Sequence, residues 1–165
     1  MIDFLKNINS KIIDQKEQLQ RELSFWNFRN KKIVFTNGCF DILHRGHVEY
    51  LAQAASLGDV LILGLNTDSS IKKIKGEGRP VNDQYARALV LAGLGFISKI
   101  VYFDQDTPYD LIKYIQPDVL VKGSDYAPEN IVGYDIVKAK GGEVVTISFV
   151  DGFSTTNTIL KLNNQ

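Results

Sequence analysis

Apolar and polar positions follow two different periods along this chain. Runs such as Val60-Leu-Ile-Leu-Gly-Leu65 are continuously apolar over strand length, the pattern of strands covered on both faces. Five such runs are predicted as strands, at 32–36, 60–66, 99–103, 119–121 and 143–148. Between and after them lie longer helical patterns, which predict helices at 46–57, 83–95, 108–115, 130–140 and 154–162. Strand-helix alternation with short connections predicts an α/β, Rossmann-like fold, a five-stranded parallel sheet with helices on both faces. Residues 1–30 differ. Leu5, Ile8, Ile12, Leu19, Leu23 and Trp26 fall at helical spacings, so an N-terminal helical extension precedes a domain at 31–165. Its apolar stripe has two readings, a helix on the domain's own flank or a dimer contact.

In such folds ligands bind beyond the carboxyl ends of the strands, where the strand order reverses. Polar and glycine-bearing clusters follow four of the five strands: 36–47, 66–68, 122–125 and 151–156. Together they make a nucleotide-sized site on one rim.

Composition narrows the classes. At 165 residues with 44% hydrophobic residues, the chain suits one domain with a real core. Nineteen basic and nineteen acidic residues cancel, which argues against duplex nucleic acid as a partner. No basic cluster suits anionic lipid, and no apolar run is long enough to span a bilayer. Asp3, Lys6 and Asn7 interrupt the N-terminus where a signal peptide would be apolar. A single cysteine, Cys39, excludes an intrachain disulfide framework. A soluble protein in the reducing cytoplasm is expected, without nucleic-acid or membrane partners.

The sharpest chemical signal is His44-Arg-Gly-His47, which holds both histidines of the chain. An apolar strand runs into a glycine-containing loop, and the loop opens a helix. A helix N-terminus offers unpaired N–H groups and partial positive charge to a phosphate. Residues three apart share a helical face, so both imidazoles can address one ligand. Gly46 removes a side chain where phosphates would pass. Incidental capping histidines are the bland alternative. Zinc is a weaker one, with no third histidine and no ligand spacing from Cys39.

The run Thr36-Asn-Gly-Cys-Phe-Asp-Ile-Leu-His-Arg-Gly-His47 resembles the signature of the cytidylyltransferase-like nucleotidylyltransferases, which share H-x-G-H. Further runs narrow the resemblance: 75–82, Asp106-Thr-Pro108, Pro117-Asp118, 120–126 and Gly152-Phe-Ser-Thr-Thr-Asn157. They are similar to the branch that adenylylates D-glycero-β-D-manno-heptose 1-phosphate to give ADP-heptose. The same domain occurs elsewhere fused behind a sugar kinase, so the resemblance implies a stand-alone form here. It also implies ATP and a sugar 1-phosphate as substrates, Mg²⁺ with the ATP, and a homodimer. One departure stands out. Glycerol-phosphate cytidylyltransferases carry Arg-Thr-Glu-Gly-Ile-Ser-Thr-Thr, where this chain reads Phe149-Val-Asp-Gly-Phe-Ser-Thr-Thr156.

By this resemblance His44, His47 and Lys75 are catalytic. The nucleotide falls to Thr36, Asn37, Gly38, Cys39, Phe40, His44, His47, Arg87, Lys122, Gly123, Asp125, Ser154, Thr155 and Thr156. Asp41 and Arg79 fall to the acceptor, and no residue is assigned to metal. The bland readings stand beside these. Lys72, Lys73, Lys75 and Arg79 form a basic loop after the second strand, either solvated or a mobile lid over the triphosphate. Arg87 alone reads as an exposed helix residue. Ser124 suits a plain turn, and Ser154 to Thr156 would cap the last helix regardless of function. Cys39 is a small loop residue rather than a nucleophile, and Asp41 either braces the loop or touches the acceptor.

The implied chemistry is in-line attack of the acceptor's phosphate oxygen on the α-phosphorus of ATP, with positioning and charge stabilisation as the catalytic effects. Two rivals are a cytidylyltransferase using glycerol 3-phosphate or another alcohol phosphate, and a nucleotide-binding module without turnover. A fragment of an aminoacyl-tRNA synthetase is disfavoured, since no Lys-Met-Ser-Lys-Ser element occurs.

Overall fold

The computed structural model describes residues 1–124, 127–148, 152, 153, 155 and 159. Among these residues the sheet is parallel throughout, and it has six strands, not five. They are β1 (Ile12–Ile13), β2 (Ile33–Gly38), β3 (Val60–Asn66), β4 (Lys99–Phe103), β5 (Val119–Gly123) and β6 (Glu143–Ile147), in the order β1-β4-β3-β2-β5-β6. The helices are α1 (Phe4–Asn9), α2 (Lys16–Phe28), α3 (Arg45–Ala55), α4 (Asp68–Lys75), α5 (Gln84–Ala92), α6 (Tyr109–Ile115) and α7 (Tyr134–Ala139).

The continuous apolar strands serve two cores at once, because successive side chains point to opposite faces. Val34, Leu61, Leu63, Leu65 and Ile100 meet Leu51 and Ala54 of α3 and Ala88 and Leu91 of α5. Their neighbours Ile33, Phe35, Ile62, Val101 and Leu120 meet Leu19, Leu23 and Trp26 of α2, Ile112 and Ile115 of α6, and Val137 of α7.

The extra strand comes from the N-terminal extension, which is therefore not purely helical. Ile12 and Ile13 pair with Ile100 and Val101 at the sheet edge. Most of the apolar stripe is spent on the domain's own flank. Leu19, Leu23 and Trp26 are buried, each worth about 1.5–3 kcal/mol of hydrophobic stabilisation, while Leu5 stays 60% exposed.

Two further differences have local causes. The basic run 72–75 lies on α4 rather than in a loop. Thr67 caps this helix by accepting from the Ser70 N–H at 3.2 Å, and its last turn carries Lys72, Lys73 and Lys75 where the dipole favours cations. The expected helix 130–140 is split into a 3₁₀ turn at Pro128–Asn130 and α7. Gly133 lies between them with φ 91°, and any Cβ there would meet Ile112 Cδ1 at 2.7 Å. Of the expected helix 154–162, Thr155 and Ile159 are helical and the rest lies outside the described residues. Among the described residues no helix is long and apolar enough to cross a membrane.

Candidate functional site

The order of the strands reverses between β2 and β5, and the residues singled out by the sequence gather beyond that point. β2 ends at Gly38, the loop 39–44 turns, and His44 occupies the N-cap position of α3 in extended conformation. The His44 side chain makes no capping hydrogen bond. His44 and His47 stack, with ring centroids 3.7 Å apart and planes 20° apart. Phe40 packs edge-on against His47 at 5.1 Å. Phe153 lies beyond His44 at 6.4 Å, and Arg45 sits over the Phe153 ring at 5.6 Å. A side chain on Gly46 would come within 3.3 Å of the His44 ring and 3.4 Å of Phe153 Cβ, so glycine keeps this approach open.

The Nδ1 atoms of both histidines are buried and have no hydrogen-bond partner among the described residues. Such atoms are rare and need a ligand or water to account for them. Burial pushes the His47 imidazole down to about 4, helped by the nearby charges of His44 and Lys75 and opposed by a hydrogen bond to the Ile42 backbone. Burial also lowers His44. Both rings are therefore neutral near pH 7, each with one donor and one acceptor nitrogen. Lys75, the last residue of α4, is exposed and close enough to bear on His47.

Other expected site residues serve as walls and braces. The Asp41 carboxylate is buried. It accepts from Arg79 Nε at 2.6 Å and from the Val81 and Asn82 N–H groups at 2.8 and 3.0 Å. Burial works against its charge, but these bonds, with the Arg79 charge, hold it below the usual carboxylate range. Of the two readings of Asp41, the geometry supplies the brace, fixing the loop 79–82. Arg79 is committed to Asp41, although its Nη2 is buried without a partner among the described residues.

Arg87 is not an exposed helix residue. It is 2% exposed and donates to the carbonyls of Cys39, Asn66 and Asn82 and to the Asp68 carboxylate, at 2.7 to 3.1 Å. It thus clamps the ends of β2 and β3 to the start of α4 from below. Thr36 is also fully buried, its hydroxyl 2.8 Å from that of Tyr50 in α3. Cys39 lies beside Asn66, its sulfur 3.9 Å from Oδ1.

A cavity of about 210 Å³ lies at the reversal point, with Asn37 from β2 and Lys122 from β5 in its wall. Gly123 ends β5. A larger hollow of about 590 Å³ lies between the N-terminal extension, β4 and α6 and contains none of the expected site residues. Asp125, Ser154 and Thr156 lie outside the described residues, and Thr155 is half-buried. The sequence assigned no role to Phe153, Asp68 or Asn82. Their positions after strands and beside Ser154 were the available signal.

The family model described as cytidylyltransferase-like matches residues 35–149. "Bifunctional protein HldE" of Campylobacter concisus is 59% identical over 134 residues, 81% of this chain and 28% of that protein. The protein of the same name from Campylobacter jejuni subsp. doylei is 50% identical over 164 residues, 99% of this chain and 33% of that one. The chain thus spans about a third of the length of these curated relatives. Among solved structures, the lipopolysaccharide core biosynthesis protein of Thermoplasma volcanium GSS1 superposes with a TM-score of 0.57 at 23% identity, covering 73% of this chain and 97% of that one. Pantoate-beta-alanine ligase of Francisella tularensis does so at 0.59 and 15% identity, covering 93% and 79%. Both share the fold. With its parallel sheet, its stacked H-x-G-H pair on the reversal rim and a family match over residues 35–149, the chain belongs to the cytidylyltransferase-like family.

Proposed function

We propose that this chain transfers AMP from ATP to D-glycero-β-D-manno-heptose 1-phosphate, giving ADP-heptose and pyrophosphate. The observation that carries the reading is the neutral, stacked His44–His47 pair at the open end of α3, with its buried unpartnered nitrogens and Lys75 beside it. Such a place suits the phosphates of a nucleotide. The choice of adenine and heptose is supported by the runs 75–82, 106–108 and 152–157 and by identities of 50% and 59% to HldE proteins.

A phosphate oxygen of the acceptor attacks the α-phosphorus and forms the new P–O bond. The bond from that phosphorus to the bridging oxygen breaks, and pyrophosphate carries the charge away. The acceptor phosphate is largely dianionic near neutral pH, so no protein base removes a proton. His44 donates to an oxygen of the crowded phosphorus, His47 stacks behind it, and Lys75 meets charge growing on the leaving group. Donors placed in this way contribute about 10²–10³ in rate each. No nucleophilic side chain takes part.

Among the described residues no group of three or more His, Cys, Asp or Glu converges, and the Asp41 and Asp68 carboxylates are engaged by Arg79 and Arg87. Mg²⁺ belongs to the proposal as an ion that would arrive with the nucleotide's phosphates and would supply charge neutralisation there. A cytoplasmic setting and a homodimer also belong to it, with the exposed Phe4 and Leu5 of α1 as the apolar surface for the second copy.

The test is pyrophosphate release with ATP and CTP, in magnesium, across heptose 1-phosphate, hexose 1-phosphates and glycerol 3-phosphate. ATP with heptose 1-phosphate should give the highest kcat/KM. Preference for CTP with glycerol 3-phosphate would overturn the reading. Nucleotide binding without turnover in any combination would point to a regulatory module.

A further inference from the structure

The cavity between β2 and β5 has a lining that the nucleotide does not explain. Its polar groups come from Asn37, Asp106, Thr107, Lys122 and Asn130, set against apolar walls such as Phe103 and Ile131. Neither His44 nor His47 lines it. A space of about 210 Å³ suits one sugar ring.

Three amides reach this space, Asn37, Asn66 and Asn130, and the first two differ. Asn66 is satisfied by the protein, its Nδ2 donating to Ser70 Oγ at 2.9 Å and its Oδ1 facing the Cys39 thiol. Asn37 Oδ1 is buried with no partner among the described residues, a state that a native structure keeps when something else completes it. Amide and carboxylate groups opposite an aromatic face are what a polyol needs, with hydrogen bonds for its hydroxyls and an apolar wall for its C–H face. Lys122 adds a positive charge for an anionic substrate.

The cavity also adjoins the phosphate site. Ile74, in the last turn of α4, lines the cavity, and the next residue is Lys75, whose charge bears on His47. Asn37 leads directly into the loop that carries His44. We propose that this cavity is the acceptor pocket, in which Asn37, Asp106 and Asn130 read the hydroxyls of a sugar phosphate whose phosphate faces the histidine pair. Asn37 and Lys122 thereby move from the nucleotide to the acceptor, and the run Asp106-Thr-Pro108 gains a role in specificity. The inference rests on the proposed adenylyl transfer.

The test uses the full chain with Asp106→Asn, Asn130→Ala and Asn37→Ala. Asp106 and Asn130 are exposed, so those two changes leave the fold intact, and a melting curve checks Asn37→Ala. KM for heptose 1-phosphate should rise tenfold or more in each, KM for ATP should stay within twofold, and the preference over a hexose 1-phosphate should shrink. A rise in the ATP KM instead would make the cavity a nucleotide subsite. Wild-type turnover with unchanged acceptor KM in all three variants would sink the pocket alone. Absence of turnover by the wild-type protein with every sugar phosphate would remove the transfer reading, and the pocket assignment with it.

Discussion

His44 and His47 lie ring against ring at the mouth of α3, 3.7 Å between centroids. Two imidazolium ions at that distance would repel strongly, so the stack is an arrangement of neutral rings. The lowered proton affinity of both fits this. In the proposed transfer the pair therefore acts through placement and hydrogen bonding, and positive charge comes from Lys75 and the helix end.

Removing either ring should show this. We predict that His44→Ala and His47→Ala each lower kcat by about 10²–10³. The double variant should lose much less than the product of the two, since stacked partners act as a unit. Steady-state kinetics with a parallel far-UV spectrum check this, and independent, multiplicative losses would argue against a joint site.

Stability should carry the signature of His47. Its proton affinity in the fold, about 4, lies below the 6.5 of the free side chain, so the unfolded chain takes up the proton first. The sign follows from linkage: stability is full above about pH 6.5 and falls as pH drops toward 4. The loss from this group is at most about 3 kcal/mol. Urea titrations between pH 4.5 and 7.5 should show the slope in the wild type and a shallower one in His47→Gln.

Asp41 gives a structural prediction. Asp41→Ala frees a half-buried Arg79 and orphans two backbone N–H groups, at a cost of about 3 kcal/mol. The loop 79–82 should loosen with it. A denaturant midpoint like that of the wild type, combined with a raised acceptor KM, would return Asp41 to the substrate.

Arg87→Lys should be far from conservative. One ammonium cannot span three carbonyls and a carboxylate fixed around a planar fork. The expected loss is about 2–3 kcal/mol, with turnover falling because the ends of β2 and β3 are no longer clamped. Thermal melts and kcat measured on the same preparation check this.

Lys75→Ala should separate rate from fold. The side chain is exposed at the end of α4, so stability should change by less than about 0.5 kcal/mol, while kcat falls at least tenfold. A large drop in melting temperature instead would make Lys75 a structural residue.

How much of this was legible depended on the element. Strands at 60–66 and 99–103 were read to the residue, because a continuous apolar run between polar ends has few alternatives. β1 was hidden, since two isoleucines inside a helical spacing of Ile8 and Ile12 carry no period of their own; only pairing with Ile100 and Val101 makes them a strand. α4 was missed because Ile71 and Ile74 are its only apolar residues among serines and lysines, although Thr67-Asp68 is a helix-start signal. At the site, the histidine pair was legible from its spacing. Arg87 was not, because its partners lie 5, 19, 21 and 48 residues away.

The short strand β1 has a consequence for where this domain can be cut. The family match begins at residue 35, yet the sheet begins at Ile12. Trimming to the matched segment would strip the cover from Lys-Ile-Val-Tyr-Phe at 99–103 and leave an apolar strand with unpaired backbone groups as the outer edge, the kind of surface on which chains stack into aggregates. The N-terminal residues thus act as a selvage for the sheet. A fragment starting near residue 31 is expected to aggregate where the full chain stays dispersed, which light scattering at matched concentration would reveal.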